Sequence, residues 1–257
     1  MTIQFLGTGT SQGVPVIGCN CEVCTSIDPR DERLRSSLLV RNGEDTWVID
    51  AGPDFRQQML RENITSLEAV IFTHEHKDHI AGLDDVRAFN YLQKKPMDLY
   101  GDNNVDKAIR REFFYAFEEN KYPGVPLLNM HVIKNECFTI NELEFLPIEV
   151  MHYKMPVFGY RIGNFTYITD AKTISEKVIE KIKGTKILVL NALRKKEHIS
   201  HFNLQEALDM INIIKPEKTY LTHISHLFDQ HLNIQKELPE NVFVAYDGLK
   251  LTINYGK

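Results

Sequence analysis

Three histidines and one aspartate lie within six residues, at His74, His76, Asp78 and His79. They directly follow an apolar run, Leu67 to Phe72, that predicts a buried strand. Imidazole binds zinc, iron, manganese or nickel, and a carboxylate favours ions that also accept oxygen. A strand that ends in this cluster would deliver several ligands to one point at a sheet edge. The pattern predicts a metal site there, and the alternative is a solvated histidine-rich turn.

The spacing of these four residues predicts two metal positions. His74 and His76 are two residues apart, so their side chains point the same way while the chain is extended. Asp78 and His79 follow a bend and would reach a second position. In two-metal sites the ions lie roughly 3.5–4 Å apart.

The three clustered cysteines predict a second, separate metal site. Cys19, Cys21 and Cys24 form a C-x-C-x-x-C pattern, and Cys137 stands apart from them. In a reducing compartment this spacing favours metal thiolates over disulfides. Reactive thiols are the alternative, although C-x-C is not a thioredoxin-like spacing. We expect Cys137 to be a buried free thiol.

Strands and helices are predicted around the metal strand in the first half of the chain. The predicted elements are a strand at 3–6, a glycine-rich turn at 7–13, a hairpin of strands 37–41 and 46–51 with an Asn42-Gly43 turn, a helix from an Asp54–Gln57 capping box to about 62, and helices at 82–93 and 104–120. The glycine-rich turn is not followed by a helix, which argues against a dinucleotide site. Its glycines would let the backbone pass close to a substrate phosphate or to another loop.

The second half of the chain is again rich in strands. Strands are predicted at 137–140, 143–152, 158–162, 165–170, 187–191 and 219–222, helices at 175–182 and 204–214, and a final hairpin of 242–246 and 249–253 around Asp247-Gly248. Strands in both halves with helices between them predict an α+β fold of two packed sheets with helices outside. No linker separates the halves, so we expect a single domain, 1–257.

Composition narrows the functional classes. The chain has 257 residues, 43% hydrophobic and 25% charged, with a net charge of −5, which is ordinary for a globular protein. The negative charge makes nucleic acid an unlikely partner, without excluding it. Neither a signal peptide nor an apolar run that could span a bilayer is evident, so the expected location is cytoplasmic, with no membrane partner. The oligomeric state is open, and a homodimer would fit base rates.

His-x-His-x-Asp-His at residues 74–79 resembles the signature of the metallo-β-lactamase superfamily. The resemblance implies a four-layer αββα sandwich with its metals at one edge between the two sheets. It supplies the later ligands in order, because His152, Asp170 and His223 each end an apolar run. By resemblance, the first metal is bound by His74, His76 and His152, the second by Asp78, His79 and His223, and Asp170 bridges them. His76 stands where the superfamily's oxidoreductases carry a glutamate, which favours hydrolysis.

The N-terminal segment resembles the PhnP-type phosphoribosyl cyclic phosphodiesterases. The resemblance rests on Gly-Thr-Gly-Thr-Ser-Gln-Gly-Val-Pro followed by Gly-Cys-Asn-Cys-Glu-Val-Cys. In those proteins three such cysteines and one histidine hold a structural zinc. The matching histidine here is His226, and a Cys₃His set is a closed tetrahedral site.

The same resemblance suggests further roles. His201 precedes a phenylalanine and a helix, as does the family's histidine near the substrate phosphate, where it could protonate a leaving oxygen or stabilise charge on phosphorus. We take His201 and Asp78 as candidate catalytic residues and Asp50 as a residue that orients the metal loop from outside the ligand shell. His198 is left out of the candidate site: it either contacts a ligand from outside or is merely exposed. His131 and His231 are expected at the surface.

The predicted function is hydrolysis of a small phosphodiester, cyclic esters included, by a hydroxide that bridges two zinc or manganese ions. The alternatives are a tRNA 3′-processing endonuclease, a lactonase or thioesterase, and a non-catalytic PqqB-like carrier. The nuclease would need a basic arm that the sequence lacks, and a carrier would have lost ligands that this chain retains. We expect substrate specificity to lie in a helical insertion at about 84–126 and in the loop 154–158.

Overall fold

The computed structural model describes residues 1–254 of the chain. Its first half contains β1 (Thr2–Gly7), β2 (Ser37–Asn42), β3 (Asp45–Ile49), α1 (Phe55–Arg61), β4 (Ala69–Ile71), α2 (Lys77–Ile80), α3 (Arg87–Gln93), β5 (Met97–Gly101), α4 (Asn103–Glu112) and β6 (Leu128–Val132). Short 3₁₀ helices occur at Pro29–Asp31, Leu83–Val86 and Phe114–Ala116.

The second half contains more strands than helices. Its elements are β7 (Phe138–Ile140), β8 (Leu143–His152), β9 (Met155–Ile162), β10 (Phe165–Ile168), α5 (Glu176–Lys181), β11 (Ile187–Asn191), α6 (Leu204–Ile214), β12 (Lys218–Thr222), α7 (His231–Glu237), β13 (Val242–Val244) and β14 (Lys250–Thr252). No helix in residues 1–254 has the length and apolar character needed to cross a membrane.

The strands form two seven-stranded sheets within the described residues. The first has the order β14-β1-β2-β3-β4-β5-β6, and the second has the order β13-β12-β11-β10-β9-β8-β7. Both sheets mix parallel and antiparallel neighbours: β3 runs parallel to β4 and antiparallel to β2, and β10 runs parallel to β11 and antiparallel to β9. The predicted α+β class and four-layer αββα sandwich are confirmed.

The side chains of each strand point alternately to the two faces of its sheet, and this explains how the sheets and helices form layers. In β3, Trp47 and Ile49 pack in the core shared by the two sheets, while Val48 faces the helices on the other side. Successive strand residues point to opposite faces, so each buried strand contributes to two cores. The second sheet does the same: Tyr167 faces the first sheet, and Ile168 packs beneath the helices.

The strands that carry the candidate site end at one edge of the sandwich. The parallel pair β3 and β4 runs towards this edge in the first sheet. In the second sheet, β10, β11 and β12 are parallel, and β8 shares their direction because β9 is antiparallel to both β8 and β10. The sheets are tied together there, since Phe158 N–H donates to Thr73 O (2.9 Å) and Tyr160 O–H donates to Phe72 O (2.6 Å).

The hairpin predicted around Asp247-Gly248 is wrong. β13 pairs with β12 in the second sheet, whereas β14 pairs with β1 in the first. Asp247 lies at the crossing point, where its carboxylate accepts hydrogen bonds from Leu34 N–H and the Thr8 hydroxyl. These distant partners bind the turn residue, so the two strands part instead of pairing.

Two local predictions also need correction. Asp54 precedes α1 but does not cap it through its side chain; its carboxylate binds Arg35 N–H and the Arg35 guanidinium instead. The helix predicted at 82–93 is divided into the 3₁₀ helix and α3. Gly82 packs so closely on Gly52 that a Cβ at Gly82 would lie 2.0 Å from Gly52 O, and this contact fixes where the segment starts.

The segment predicted as a helical insertion is not wholly helical. β5 lies within residues 84–126 and forms an internal strand between β4 and β6. The helix predicted at 104–120 ends at Glu112 and is followed by the Phe114–Ala116 3₁₀ helix. Phe113 turns into the core at this break, while Phe114 is exposed.

Candidate metal centre

The ends of five strands supply the residues of the candidate site. Asp50 follows β3, the loop 73–76 follows β4, His152 ends β8, Asp170 follows β10 and His223 follows β12. Asp50, Asp170 and His223 adopt left-handed backbone conformations with φ between 57° and 67°. This conformation turns the chain sharply at the strand end, and aspartate is one of the residue types that tolerates it best.

Four of the predicted ligands form one compact group. Asp78, His79, Asp170 and His223 each offer an atom within 4.8 Å of the others. His79 Nε2 lies 3.3 Å from Asp78 Oδ2 and 3.4 Å from Asp170 Oδ2, and His223 Nε2 lies 3.2 Å from Asp170 Oδ1. Ligand atoms about 2.0–2.2 Å from a shared ion are about 3.2–3.6 Å apart at tetrahedral angles. The group therefore fits a divalent cation.

The remaining three predicted ligands lie beside this group. The ring centroids of His74, His76 and His152 are 4.6, 5.1 and 5.8 Å apart. His152 Nδ1 lies 2.9 Å from Ser200 O, so the N–H of this tautomer donates to that carbonyl and leaves Nε2 free. His74 Nε2 is buried and has no hydrogen-bond partner within residues 1–254. A buried imidazole nitrogen without a partner is costly unless a ligand occupies it, which again fits a cation.

Burial and neighbouring charges shift the pKa values of the aspartates and histidines in the centre. Burial alone would raise the pKa of Asp170, but His223, His79 and His74 outweigh burial and hold this pKa well below its usual range. Burial would also raise the pKa of Asp78, but the nearby His79 outweighs burial and lowers this pKa. Burial lowers the pKa of His74 and His223. Burial would lower the pKa of His79, but Asp78, Asp50 and Asp170 outweigh burial and raise this pKa well above its usual value. Metals bind ionised carboxylates and neutral imidazoles, so a cation would have to displace the proton of His79.

Asp50 holds the metal loop in place. It is fully buried, and its carboxylate accepts hydrogen bonds from Thr73 N–H and the Thr73 hydroxyl, both at 2.8 Å. Its other contact is His79 Nδ1 at 2.7 Å. Since Nδ1–H donates to this carboxylate, His79 Nε2 is directed at Asp78 and Asp170.

We expect Asp50→Asn to weaken cation binding by about 10–100-fold, the usual cost of losing a group that orients a metal ligand. Asparagine tolerates the left-handed backbone but cannot accept all three hydrogen bonds through one amide oxygen. Competition with a chromogenic chelator measures the affinity. Asp45→Asn at the opposite end of β3 is the matched control. Equal affinities in the two variants would contradict this role for Asp50.

His201 lies against the centre without joining the main ligand group. Its ring centroid is 4.6 Å from that of His152 and 4.9 Å from that of His223, and Nδ1 is 3.8 Å from Asp170 Oδ1. Burial lowers the pKa of His201 to about 3. The ring is therefore neutral near pH 7 and suits hydrogen-bond donation better than proton donation.

Two of the predictions made for the other histidines and Cys137 are wrong. His198 is half-buried, with its ring centroid 5.2 Å from that of His201. His131 is half-buried and lies 2.7 Å from Asp98 Oδ1. His231 is buried under Tyr246, so the surface prediction for it is wrong. The prediction of a buried Cys137 is also wrong, because this residue is exposed beside its short strand.

The predicted zinc ligands come together at the side of the centre. The sulfurs of Cys19, Cys21 and Cys24 lie 3.2, 3.5 and 3.5 Å from His226 Nδ1. A zinc ion with bonds of about 2.3 Å to sulfur and 2.0 Å to nitrogen would separate these atoms by about 3.5 Å. Hydrogen bonds outweigh burial and lower the pKa of Cys21 to about 6, whereas burial raises that of Cys24 to about 11. A divalent cation would allow all three thiols to ionise, so the set fits zinc.

Two hydroxyls in the centre were missed by sequence reasoning. Thr10 Oγ1 lies 3.2 Å from His223 Nε2, and Ser36 Oγ lies 3.1 Å from His223 Nδ1. Thr10 belongs to the glycine-rich turn, which was the available signal. The close approach of that turn is to another loop: a Cβ at Gly7 would lie 1.9 Å from Arg35 O, and one at Gly9 would lie 2.8 Å from Arg33 O.

An open cleft adjoins the centre. It has a volume of about 660 Å³, and its walls include His76, His152, Tyr153, Lys154 and Ile199. Tyr153 and Ile199 are exposed, and both the β8–β9 turn and the loop 199–200 contribute to the walls. This cleft can take the part of a substrate that extends away from the metals.

Comparison with known proteins identifies relatives for the chain. The profile of the beta-lactamase superfamily domain matches residues 46–224. An octanoyltransferase of Porphyromonas gingivalis is 42% identical over 99% of this chain and 52% of its own length, so the chain spans about half of that relative. A diphosphatase from the PhnP family has a crystal structure that is 38% identical, covers 98% of both chains and has a TM-score of 0.92.

The fold extends to more distant proteins. Zn²⁺-bound PqqB from Methylobacterium extorquens is 20% identical, covers 98% of this chain and 100% of its own, and has a TM-score of 0.79. At that identity the likeness concerns the fold alone. The profile match, the whole-chain similarity to the PhnP-family structure and the histidine- and aspartate-rich sheet edge agree, and the chain belongs to the metallo-β-lactamase superfamily of hydrolases.

Proposed function

We propose that this protein is a two-metal phosphodiesterase that acts on small phosphodiesters, cyclic esters included. The observation that carries the proposal is the convergence, at one sheet edge, of all seven predicted ligands with His201 beside them. His74, His76 and His152 would hold one cation and Asp78, His79 and His223 would hold the other. Asp170 would be shared by both.

The cations, zinc or manganese, would lower the pKa of a water molecule and neutralise the substrate's phosphoryl oxygens. The chain's own residues would orient the water and stabilise the charge that develops. Asp78 is ionised, so its carboxylate can accept a hydrogen bond from the attacking water and orient it. His201 is neutral, and its N–H can donate a hydrogen bond to an oxygen on which negative charge develops. The Cys₃His set would hold a structural zinc that supports the loop carrying His223.

The cleft beside His76 and His152 would bind the alcohol or sugar portion of the substrate. Lys154 places a positive charge at its wall, and Tyr153 and Ile199 offer apolar surface. A pocket with mostly apolar walls and few polar groups is typical of small-molecule sites. This agrees with a small-molecule partner and gives no preference to nucleic acid.

Hydrolysis of a diphosphate is the second candidate, because the PhnP-family structure at 38% identity is that of a diphosphatase. The scissile bond would again lie between phosphorus and oxygen, so the same residues would serve. The acyl transfer named for the Porphyromonas relative is a weaker candidate, since this chain spans only 52% of that protein.

A substrate panel tests the proposal. It contains bis-p-nitrophenyl phosphate, ribosyl 1,2-cyclic phosphate, diadenosine diphosphate, precursor tRNA, a lactone and an octanoyl thioester. We expect hydrolysis of the small phosphorus substrates but not of precursor tRNA, loss of activity with a chelator and recovery with Zn²⁺ or Mn²⁺. Zinc content measured alongside shows whether the chelator also removed the structural ion. Turnover of only the lactone or the thioester would overturn the proposal.

A further inference from the structure

A second cavity has His201 in its wall and shares no wall residue with the open cleft. It has a volume of about 220 Å³, and its walls are mostly polar. The polar groups that matter here are Thr10, Ser11, Gln12, Arg194, His198 and His201. No aspartate or glutamate contributes to its walls within the described residues, although carboxylates are abundant in the metal centre beside it. The cavity therefore offers donors and positive charge with no carboxylate in its described wall.

Arg194 is the fixed positive charge of this cavity. Its Nη2 donates to Glu197 O at 2.7 Å and its Nε donates to Lys196 O at 3.3 Å. Both acceptors are neutral carbonyls, and within residues 1–254 no carboxylate lies within 4.0 Å of the guanidinium. A guanidinium has five N–H donors, so about three remain. The two carbonyls hold the group in place and leave its charge uncompensated.

The cavity begins directly at the metal centre. Thr10 contributes to its wall and lies 3.2 Å from His223 Nε2, while His201 Nδ1 lies 3.8 Å from Asp170 Oδ1. A group bound there would adjoin a phosphoryl group at the metals. At about 30 Å³ per water, the volume corresponds to about seven water molecules. That is room for a phosphate with a few waters.

We propose that this cavity binds a second phosphate group of the substrate, joined directly to the phosphoryl group under attack. The inference rests on the proposed function and narrows it to the second candidate, the hydrolysis of diesters of diphosphate. Water attacks one phosphorus, and the bond from that phosphorus to the bridging oxygen breaks. Two phosphomonoesters form, each carrying one of the two protons of the water. Arg194, with His198 and the Thr10–Gln12 turn, would bind the leaving phosphate.

Arg194→Met and Arg194→Lys test the role of the guanidinium. The measurement is kcat/KM on diadenosine diphosphate divided by kcat/KM on bis-p-nitrophenyl phosphate, which has no second phosphate. We expect the ratio to fall about tenfold or more in Arg194→Met, the size typical of a lost hydrogen bond to a charged group, and less in Arg194→Lys. Lys195→Met is the matched control, because Lys195 is adjacent, carries the same charge and pairs with Asp229 and Glu237.

Direct binding gives a readout that does not depend on turnover. Inorganic phosphate is titrated into the metal-loaded wild type, Arg194→Met and Lys195→Met, and the Kd is measured by calorimetry. We expect Kd to rise about tenfold in Arg194→Met alone. If the wild type hydrolyses neither phosphorus substrate, the proposed function fails, and this titration still decides the cavity's role. An unchanged Kd, or an equal fall of kcat/KM on both substrates, would overturn the cavity's role as a phosphate site.

Discussion

Asp170→Asn is expected to lower kcat/KM on bis-p-nitrophenyl phosphate by far more than the 10–100-fold typical of residues that only orient ligands. Within residues 1–254, Asp170 is the one carboxylate that contacts both His79 and His223, through different oxygens, and it also lies 3.8 Å from His201 Nδ1. Asparagine keeps the shape and tolerates φ of 57°, but it removes the charge that would lie between two cations. Kinetics at saturating metal and metal content by mass spectrometry measure the effect.

Asp98→Asn is the control for this change. Asp98 is a half-buried aspartate on β5 whose partners are Asn129 and His131, away from the metal centre. The variant should keep wild-type kinetics and metal content. Activity of Asp170→Asn within tenfold of the wild type at saturating metal would refute a bridging role for this carboxylate.

Cys21→Ser is expected to lower the melting temperature by on the order of 5 °C or more and to remove about one equivalent of zinc. Loss of a metal site is among the few mechanisms that cost more than about 2 kcal/mol, and a chain of this size shifts by about 2–4 °C per kcal/mol. We expect a smaller loss of kcat/KM than for Asp170→Asn. His226 anchors the chain near His223, but Ile224 is also held by backbone hydrogen bonds to Thr8 and Thr10.

Cys137→Ser separates this effect from general thiol chemistry. Cys137 is exposed and belongs to no group of potential metal ligands within residues 1–254. Its replacement should leave the melting temperature and zinc content unchanged. If Cys21→Ser behaves like Cys137→Ser in both measurements, the cysteine set does not support the fold.

The strands next to the metal ligands were predictable because their signals are local. β8 and α6 match the predicted boundaries, and β12 differs by one residue, because each has a local pattern of apolar residues and ends at polar or turn residues. The sequence also predicted where these runs end, and the ends are where the polar side chains gather. The spacing of apolar residues, and the polar or turn residues at which each segment ends, therefore carried most of the information about the site.

Predictions failed where a residue far away in the sequence binds a segment whose local sequence predicts a different structure. Asp247-Gly248 is a strong hairpin sequence, yet Thr8 and Leu34 bind the aspartate and the strands separate. His231 looks like a surface histidine, but the Asp31 carboxylate accepts a hydrogen bond from its N–H and the ring is buried. In each case the partner is about 200 residues or more away, and no short window of sequence contains it.

Arg194 shows the same limit at the level of function. In sequence it is one cation beside two lysines, and nothing distinguishes it from a solvated surface residue. Only the fold shows that Arg194 is bound by carbonyls while Lys195 is paired with carboxylates. The tertiary structure is therefore needed to predict a function that depends on which charged side chains remain unpaired.

The crossing of the last strand between the sheets has a consequence for how the protein is made. β14 completes the first sheet by pairing Leu251 with Ile3, and Cys19 meets a histidine 207 positions later. Contacts of such large sequence separation slow folding. During synthesis the first sheet and the cysteine loop would therefore remain incomplete until His226 and β14 have left the ribosome. The metals would then be among the last components to be enclosed.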